Sequence, residues 1–502
     1  MATKSWKYRR LFEVLPGAFV WLILITPLAL AYWAPVALAV FMVFFLSYWL
    51  VRSLFMSAML VRGFRTYKRD MKLSWRDKLD EIDPEGAWKD LYHLVIVPTY
   101  KEDISILRAS VESVIKSTYP MDKVIYVLAI EERDLENSTR IAETLKKEYK
   151  DKVHDFIYTV HPKDIPGEVI GKGPNITFAG KAMVSYFAER KISPEKIIVT
   201  TMDADNVFDR QYLACLTCKY IVDPDPIHKS FQPLPMYFNN IWDVPRPMRL
   251  IAMGSSAWQM IVAMRPSRLK NFSAHAQSFE ALLAVDFWST KTIVEDGHQF
   301  WRTYYAFDGC HEVVPMSIPI YQDAVLGDNL KDTLQEQYLQ KKRWAWGVSD
   351  IPFVMEHTIG NKKIPFIDRW SHALILWEAH LSWSTTSIVL ATSSWLPLAL
   401  NQDFKNTVLA YSFPIVYTRL VMVAWLGMVT TLIITSCLVP PFRGKKPVSK
   451  IVFDWLLTPV FLPISNILFS SIPALESQTR LMTGKYLDVF RVTKKSTKRS
   501  NI

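Results

Sequence analysis

Cysteine is scarce, with four in 502 residues: Cys215, Cys218, Cys310 and Cys437. They are too few and too scattered for a disulfide framework, which agrees with a reducing location for the middle of the chain. Cys215 and Cys218 have no second pair nearby to complete a zinc site, and burial on a helix accounts for them as well. Ionisable residues are scarce inside the long apolar runs, where Glu378, His380 and Arg419 are the main interruptions, and no paired repeat is visible. Both absences speak against a transporter, and a non-catalytic membrane scaffold is held as an equally minor alternative.

An even spread of hydrophobicity is also missing. Half of the residues are hydrophobic, and they concentrate toward the two ends, leaving a middle stretch long enough for one domain of about 250 residues. The net charge of +11 does not mark a nucleic-acid binder. Its lysines and arginines cluster beside the apolar runs, at Lys4, Lys7, Arg9 and Arg10 and again at Arg62, Arg65, Lys68 and Arg69. That is the topogenic pattern of the cytoplasmic side.

Gly17–Trp33 and Ala34 to Leu54 each offer about 20 apolar residues, enough to cross a bilayer, with Pro35 at the break. A cleavable leader would also begin basic and apolar, but the second apolar run directly behind argues against cleavage. Ala373–Leu400 and Phe413–Val439 read as two more spans, with Arg443, Lys445, Lys446 and Lys450 placing their exit in the cytosol. Ile451–Ile472 contains Pro459 and Pro463, and the basic Lys494, Lys495, Lys498 and Arg499 follow it, so a re-entrant or broken hairpin is expected. Asp350–Asp368 mixes apolar residues with Lys362 and Lys363 and is expected to lie along the membrane surface.

The chain thus divides into a basic segment with two membrane helices (1–60), a basic cytosolic linker (61–87), an α/β domain (88–349), a membrane-surface segment (350–370), C-terminal membrane helices (371–475) and a basic cytosolic tail (476–502). In the α/β domain, β-branched apolar runs at Leu94–Val97, Val124–Ile130, Phe156–Val160 and Ile197–Met202 alternate with helical patterns at Ser105–Ser117, Ser138–Tyr149 and Phe178–Arg190. The runs are continuous rather than alternating, as in parallel strands covered on both faces. Such sheets bind ligands at the carboxyl ends of their strands.

Three elements there carry chemistry. Asp203 and Asp205 follow the fourth strand two positions apart, so both can face one hard cation, Mg²⁺ or Mn²⁺, although an Asp-rich turn would look the same. Glu295 and Asp296 stand where apolar sequence turns polar; one could accept a proton, or both could simply begin a helix. Gln340, Arg343 and Trp344 share a helix face, where Arg343 can fork onto a diphosphate and Trp344 can stack on a sugar, while a basic membrane-surface helix remains the plainer reading.

Together with Val97-Pro98-Thr99-Tyr100-Lys101-Glu102, these elements resemble the family 2 glycosyltransferases, specifically the membrane synthases of cellulose, hyaluronan and related polysaccharides. The likeness covers residues from about 90 to 350 and the flanking spans. It implies a GT-A-like, doubly wound and mostly parallel sheet flanked by transmembrane helices, and inverting hexosyl transfer from a UDP-type donor in the cell membrane with the catalytic domain cytoplasmic. Asp203 and Asp205 would handle the metal diphosphate, Asp296 would be the base beside Glu295, and Gln340, Arg343 and Trp344 would shape the acceptor and diphosphate site. Pro98, Thr99, Tyr100 and Glu102 would line the nucleoside pocket, with Lys172 near the diphosphate. The acceptor would be a growing glycan or a glycolipid at the lipid surface; accessory subunits are left open. Two departures stand out: Glu131 occupies a position where many relatives carry Asp, and Phe272–Ser278 replaces the Phe-x-Cys-Gly segment of the cellulose-type enzymes. Within it, His275 could touch the acceptor or be a satisfied, partly buried histidine.

Overall fold

A computed structural model describes residues 7–442, 444, 448–487 and 489. Of the topogenic charges, Lys4, Arg443, Lys445, Lys446, Lys494, Lys495, Lys498 and Arg499 lie outside the described residues.

Among the described residues, eight strands, numbered in chain order, form one mixed sheet in the order β3-β2-β1-β4-β7-β6-β8-β5. β1 (Tyr92–Thr99), β2 (Val124–Glu131), β3 (Asp155–His161) and β4 (Ile197–Thr201) pair in parallel. Their apolar runs are continuous because helices cover both faces. Leu107 and Val111 from Ile104–Ile115 and Leu145 from Leu135–Tyr149 pack on Val95, Val97 and Leu128. Ile176, Met183 and Phe187 from Lys172–Glu189 pack on Leu94, Ile96 and Val127. Each such fully buried aliphatic side chain contributes about 1.5–3 kcal/mol relative to exposure.

The other half of the sheet differs from the mostly parallel expectation. β7 (His275–Ser278) runs antiparallel to β4 and to β6 (Lys229–Met236), while β8 (Glu312–Tyr321) is parallel to β6 and antiparallel to β5 (Val207–Phe208). In the first half, β1 is flanked by β2 on one side and β4 on the other, so the chain winds in opposite directions from it. That reversal opens a crevice at the carboxyl ends of β1 and β4.

Among the described residues, four helices are long and apolar enough to cross a membrane: Arg9–Trp33, Pro35–Asp70, Val408–Leu438 and Val448–Thr483. Pro35 opens the second of these, where a missing N–H costs nothing, so the break after Trp33 is cheap to make. The Pro35–Asp70 and Val408–Leu438 helices meet closely at Gly427, where a Cβ would stand 2.5 Å from the Ser53 hydroxyl. Small residues at such contacts let spans pack tightly without a hydrophobic driving force.

The expected hairpin at Ile451–Ile472 is not found. Val448–Thr483 is one helical run, passing through a wider π turn at Ile467–Ser471. Pro459 and Pro463 each remove one backbone donor and bend a helix, but neither reverses the chain. The region expected to span over Ala373–Leu400 forms a helix at Phe366–Thr392 that is not among the four long apolar ones. It carries Asp368, Arg369, His372, Glu378 and His380, and it is fastened to the Val448–Thr483 run by Trp383 donating to Ser470 and Gln478 donating to the His380 carbonyl. In the segment expected on the membrane surface, Ile351, Val354 and Ile364 instead pack inward with Phe300 and Trp301, whereas Phe366 and Ile367 are exposed.

Candidate active site

Thr99 closes β1, Glu131 closes β2, and Asp203 and Asp205 sit on the turn after β4. All four line a cleft of about 1140 Å³ at that end of the sheet. The same cleft takes in Pro98, Tyr100, Glu102, Lys172, Glu295, Asp296, Gln340, Arg343 and Trp344. His275 is not among its lining residues. It lies inside β7, 1% exposed, and accepts a hydrogen bond at Nε2 from the Trp288 indole at 3.1 Å. Burial pushes its imidazole down to about 3, so it is a neutral core histidine, with Nδ1 buried and lacking a hydrogen-bond partner among the described residues.

Lys172 is the electrostatic centre of the cleft. Its ammonium lies 3.0 Å from Asp203 Oδ1, 3.1 Å from Asp296 Oδ1 and 3.7 Å from Glu295 Oε1, and it donates to the Ser273 carbonyl at 2.9 Å. Burial alone would lower its pKa, but the three carboxylates outweigh burial and raise it. Lys172 begins the Lys172–Glu189 helix, and Gly173 follows it because a Cβ there would stand 2.5 Å from the Ser289 carbonyl.

Glu295 and Asp296 open the Glu295–Ala306 helix, whose positive end suits acids. Burial raises the Glu295 carboxyl well above its ordinary value, and Asp296 adds to the rise while Lys172 opposes it. Burial also raises Asp296, with Lys172 opposing and Asp203 assisting. The two acids form a coupled pair, so the direction belongs to both. A raised folded pKa means that Glu295 favours the folded state below its ordinary value of 4.5 and loses that contribution as pH climbs through the raised value. Glu295→Gln should therefore flatten the loss of thermal stability between pH 5 and pH 8, which melting curves at the two pH values will show. An unchanged slope would mean that Glu295 does not titrate there.

Ser273 ties the acids together. Its hydroxyl donates to Asp203 Oδ2 at 2.6 Å, its backbone N–H donates to Asp296 Oδ2 at 3.0 Å, and Gln322 donates to its hydroxyl at 2.6 Å. It adopts a left-handed backbone, φ 53°, a strained choice for serine that lets one residue address both carboxylates. Asp205 accepts the Asp323 backbone N–H at 2.9 Å. Sequence reasoning missed Gln322, Asp323 and Tyr237, which also line the cleft. The Tyr237 hydroxyl is buried without a hydrogen-bond partner among the described residues.

Arg343 and Trp344 project from the Leu330–Ala345 helix, started by Asn329 capping the Asp332 N–H. Burial lowers the Arg343 pKa, while Asp203, Glu295, Asp296 and Tyr237 act to raise it. Trp344 stands edge-on to Phe272 at 5.4 Å and tilted to Tyr237 at 5.9 Å, which fixes its plane at the cleft. On the far side, Glu131 pairs with Arg133 at 2.6 Å and lies 3.4 Å from His161.

Among the described residues, no group of three or more His, Cys, Asp or Glu side chains is arranged to hold an ion. Two carboxylates on one turn nonetheless suit Mg²⁺ or Mn²⁺, which commonly takes one or two protein carboxylates and completes its shell with substrate phosphates and water.

No protein-family model matches the chain, and no curated protein matches it in sequence. Among solved structures, a mannosyltransferase from Pyrobaculum calidifontis, in complex with GDP-Man and Mn²⁺, aligns over 86% of this chain and 100% of its own, at 13% identity and TM-score 0.44. S. aureus TarS 1–349 with UDP-GlcNAc aligns over 79% and 93%, at 11% identity and TM-score 0.37. GalNAc-T7 with UDP, GalNAc and Mn²⁺ aligns over 61% and 57%, at 11% identity and TM-score 0.31. All three scores fall below 0.5, so the site has to be read from its own geometry.

Proposed function

We propose that this protein is a membrane-embedded, inverting glycosyltransferase with a GT-A-like catalytic domain, resembling the family 2 polysaccharide synthases. The observation that carries this reading is the convergence of Asp203, Asp205, Asp296 and Arg343, drawn from three separate stretches, on one cleft at the strand-order reversal. A nucleotide-sugar of UDP type would lie across the carboxyl ends of β1 and β2, against Thr99, Tyr100 and Glu131. Asp203 and Asp205 would hold Mg²⁺ or Mn²⁺, which when bound offsets the charge of the diphosphate. Arg343 offers a guanidinium to the same phosphates.

In the transfer step, the acceptor hydroxyl attacks the anomeric carbon from the face opposite the diphosphate. The bond from that carbon to the diphosphate oxygen breaks, and Asp296 takes the hydroxyl proton. A half-buried carboxylate with a raised pKa is a better proton acceptor than an exposed one, and Lys172 acts against that rise by favouring its charged form. The acceptor would be a growing polysaccharide, with the catalytic domain on the cytoplasmic face of the cell membrane. A single addition to a membrane lipid would use the same donor site, and the small number of long apolar helices favours keeping it as the second reading.

Membranes containing the protein should release UDP from a UDP-sugar when Mg²⁺ or Mn²⁺ is added, and EDTA should abolish the release. Long labelled product indicates a polymer; one labelled glycolipid indicates single addition. If no nucleoside diphosphate is released from UDP- or GDP-sugars under any metal condition, the assignment fails.

A further inference from the structure

A second concentration of charge lies away from the cleft, where the helical bundle meets the α/β domain. Arg52 from the Pro35–Asp70 helix and Arg268 from the turn after Arg246–Ala263 both pair with Glu378 of the Phe366–Thr392 helix. The Arg268 to Glu378 distance is 2.7 Å. Arg265, on the same turn as Arg268, has no carboxylate within ion-pairing distance among the described residues, and rests 5.3 Å from the Phe55 ring centre. Arg52 and Arg268 are close enough to repel it. Three guanidiniums thus surround a single carboxylate, leaving an excess of positive charge in a partly buried setting that an anion would relieve.

The depth of the cluster says which anion. From Pro35 to Arg52 is about 26 Å of helix, and from Glu378 to Thr392 about 21 Å, at a rise of ~1.5 Å per residue. The far ends of these two paths are tied together, since Asn401 beyond Thr392 donates to the Tyr32 carbonyl just before Pro35. Across a hydrocarbon core of about 30 Å, the cluster falls at the opposite headgroup boundary, on the side of the α/β domain. The approach is apolar: Tyr48, Val51, Leu54 and Phe55 flank Arg52 and are exposed. Arg52 itself lies over Trp49, 4.7 Å from the ring centre. Aromatic rings beside arginines at this depth are characteristic of a bilayer interface.

We propose that Arg52, Arg265 and Arg268 form a binding site for the phosphate of an anionic lipid headgroup in the leaflet facing the catalytic domain. The site does not depend on the sugar-transfer reading, because its charge and depth are set by other residues. Guanidinium groups bind phosphate in a forked geometry that ammonium groups cannot match, and Glu378, already paired with Arg52 and Arg268, acts on Arg265 only from beyond ion-pairing distance.

The full-length protein in detergent micelles can be titrated with dioleoylphosphatidylglycerol, dioleoylphosphatidylcholine or inorganic phosphate, with bound lipid counted by native mass spectrometry. Phosphatidylglycerol should bind at least about fivefold more tightly than phosphatidylcholine, and Arg265→Gln should remove most of that preference. Arg265→Lys should restore part of it. Millimolar inorganic phosphate should displace little lipid. Equal binding of the two lipids by the unaltered protein overturns the proposal even if the glutamine variant does not fold. So does an Arg265→Gln variant that keeps the preference, and displacement by inorganic phosphate would make the ligand a free anion instead. Donor turnover is not read in this assay, so its failure leaves the transferase reading untouched.

Discussion

Asp296→Asn is expected to lower turnover by about 10²–10⁴-fold, the range associated with losing a general base, while donor affinity stays within a few-fold. Asparagine keeps the shape of the side chain, and its single carbonyl oxygen can still accept from either Lys172 or the Ser273 N–H, the two donors that hold Asp296 now. What it cannot do is take a proton from a hydroxyl. Loss of one negative charge beside Lys172 also leaves that ammonium more available to an anionic diphosphate, so donor binding should hold or tighten. The measurement is kcat from steady-state UDP release, together with donor Kd from calorimetry on the same preparation. A second reading comes from pH. Because burial and Asp203 outweigh Lys172 and raise the Asp296 pKa, the acid limb of kcat/KM should fall above the ordinary aspartate range and disappear from the variant's residual activity. Turnover within a few-fold of the unaltered enzyme would remove Asp296 from the role of base.

Much of the first half of the sheet can be read from residues alone, and the reason is physical. β1, β2 and β4 are covered on both faces, so their sequences have to be continuous apolar runs, and the acids that follow β4 stand out where such a run ends. The second half offers no such signal. β6 contains Pro233 and Pro235 and shifts register between Gln232 and Leu234, and β8 contains Pro315 and Pro319. Proline within a run demotes it as a strand candidate, because it cannot donate to the ladder. β7 has only four residues and β5 two. The site was legible in its acids and in Arg343, whose chemistry is intrinsic to the side chain. It was not legible in Ser273, Gln322 and Asp323, which matter through a left-handed turn and through backbone donors that no residue pattern announces. The continuous Val448–Thr483 helix shows the same limit from the other direction. Its two prolines obey their local rule by removing donors, but packing against neighbouring helices and the π turn at Ile467–Ser471 keep the chain helical.

Lys172→Met should be among the most destabilising single changes in the catalytic domain, at roughly 3 kcal/mol, the lower end of the cost of leaving a buried charge without its partner. The lower end applies because Asp203 and Asp296 keep 37% and 25% of their side-chain surface, so water screens part of what is lost. Glu295, 2% exposed at its side chain, has no such relief. The sign with pH separates this from simple loss of packing. In the unaltered protein Lys172 is raised above its ordinary 10.5, so its contribution is fully present below that value and does not fade across the neutral range. Without it, Glu295 and Asp296 are raised further by mutual repulsion. Carboxyls raised in the folded state stabilise it only below their ordinary range and lose that contribution as pH rises. The variant should therefore melt only slightly below the unaltered protein at pH 5 and far below it at pH 8. Millimolar Mn²⁺ should restore part of the difference at pH 8 if the same acids accept a divalent cation, since it would supply the positive charge that the methionine lacks. Equal melting temperatures for the two proteins at pH 8 would show that the three carboxylates do not depend on Lys172 for charge balance. Destabilisation of equal size at both pH values would assign the loss to packing rather than to charge.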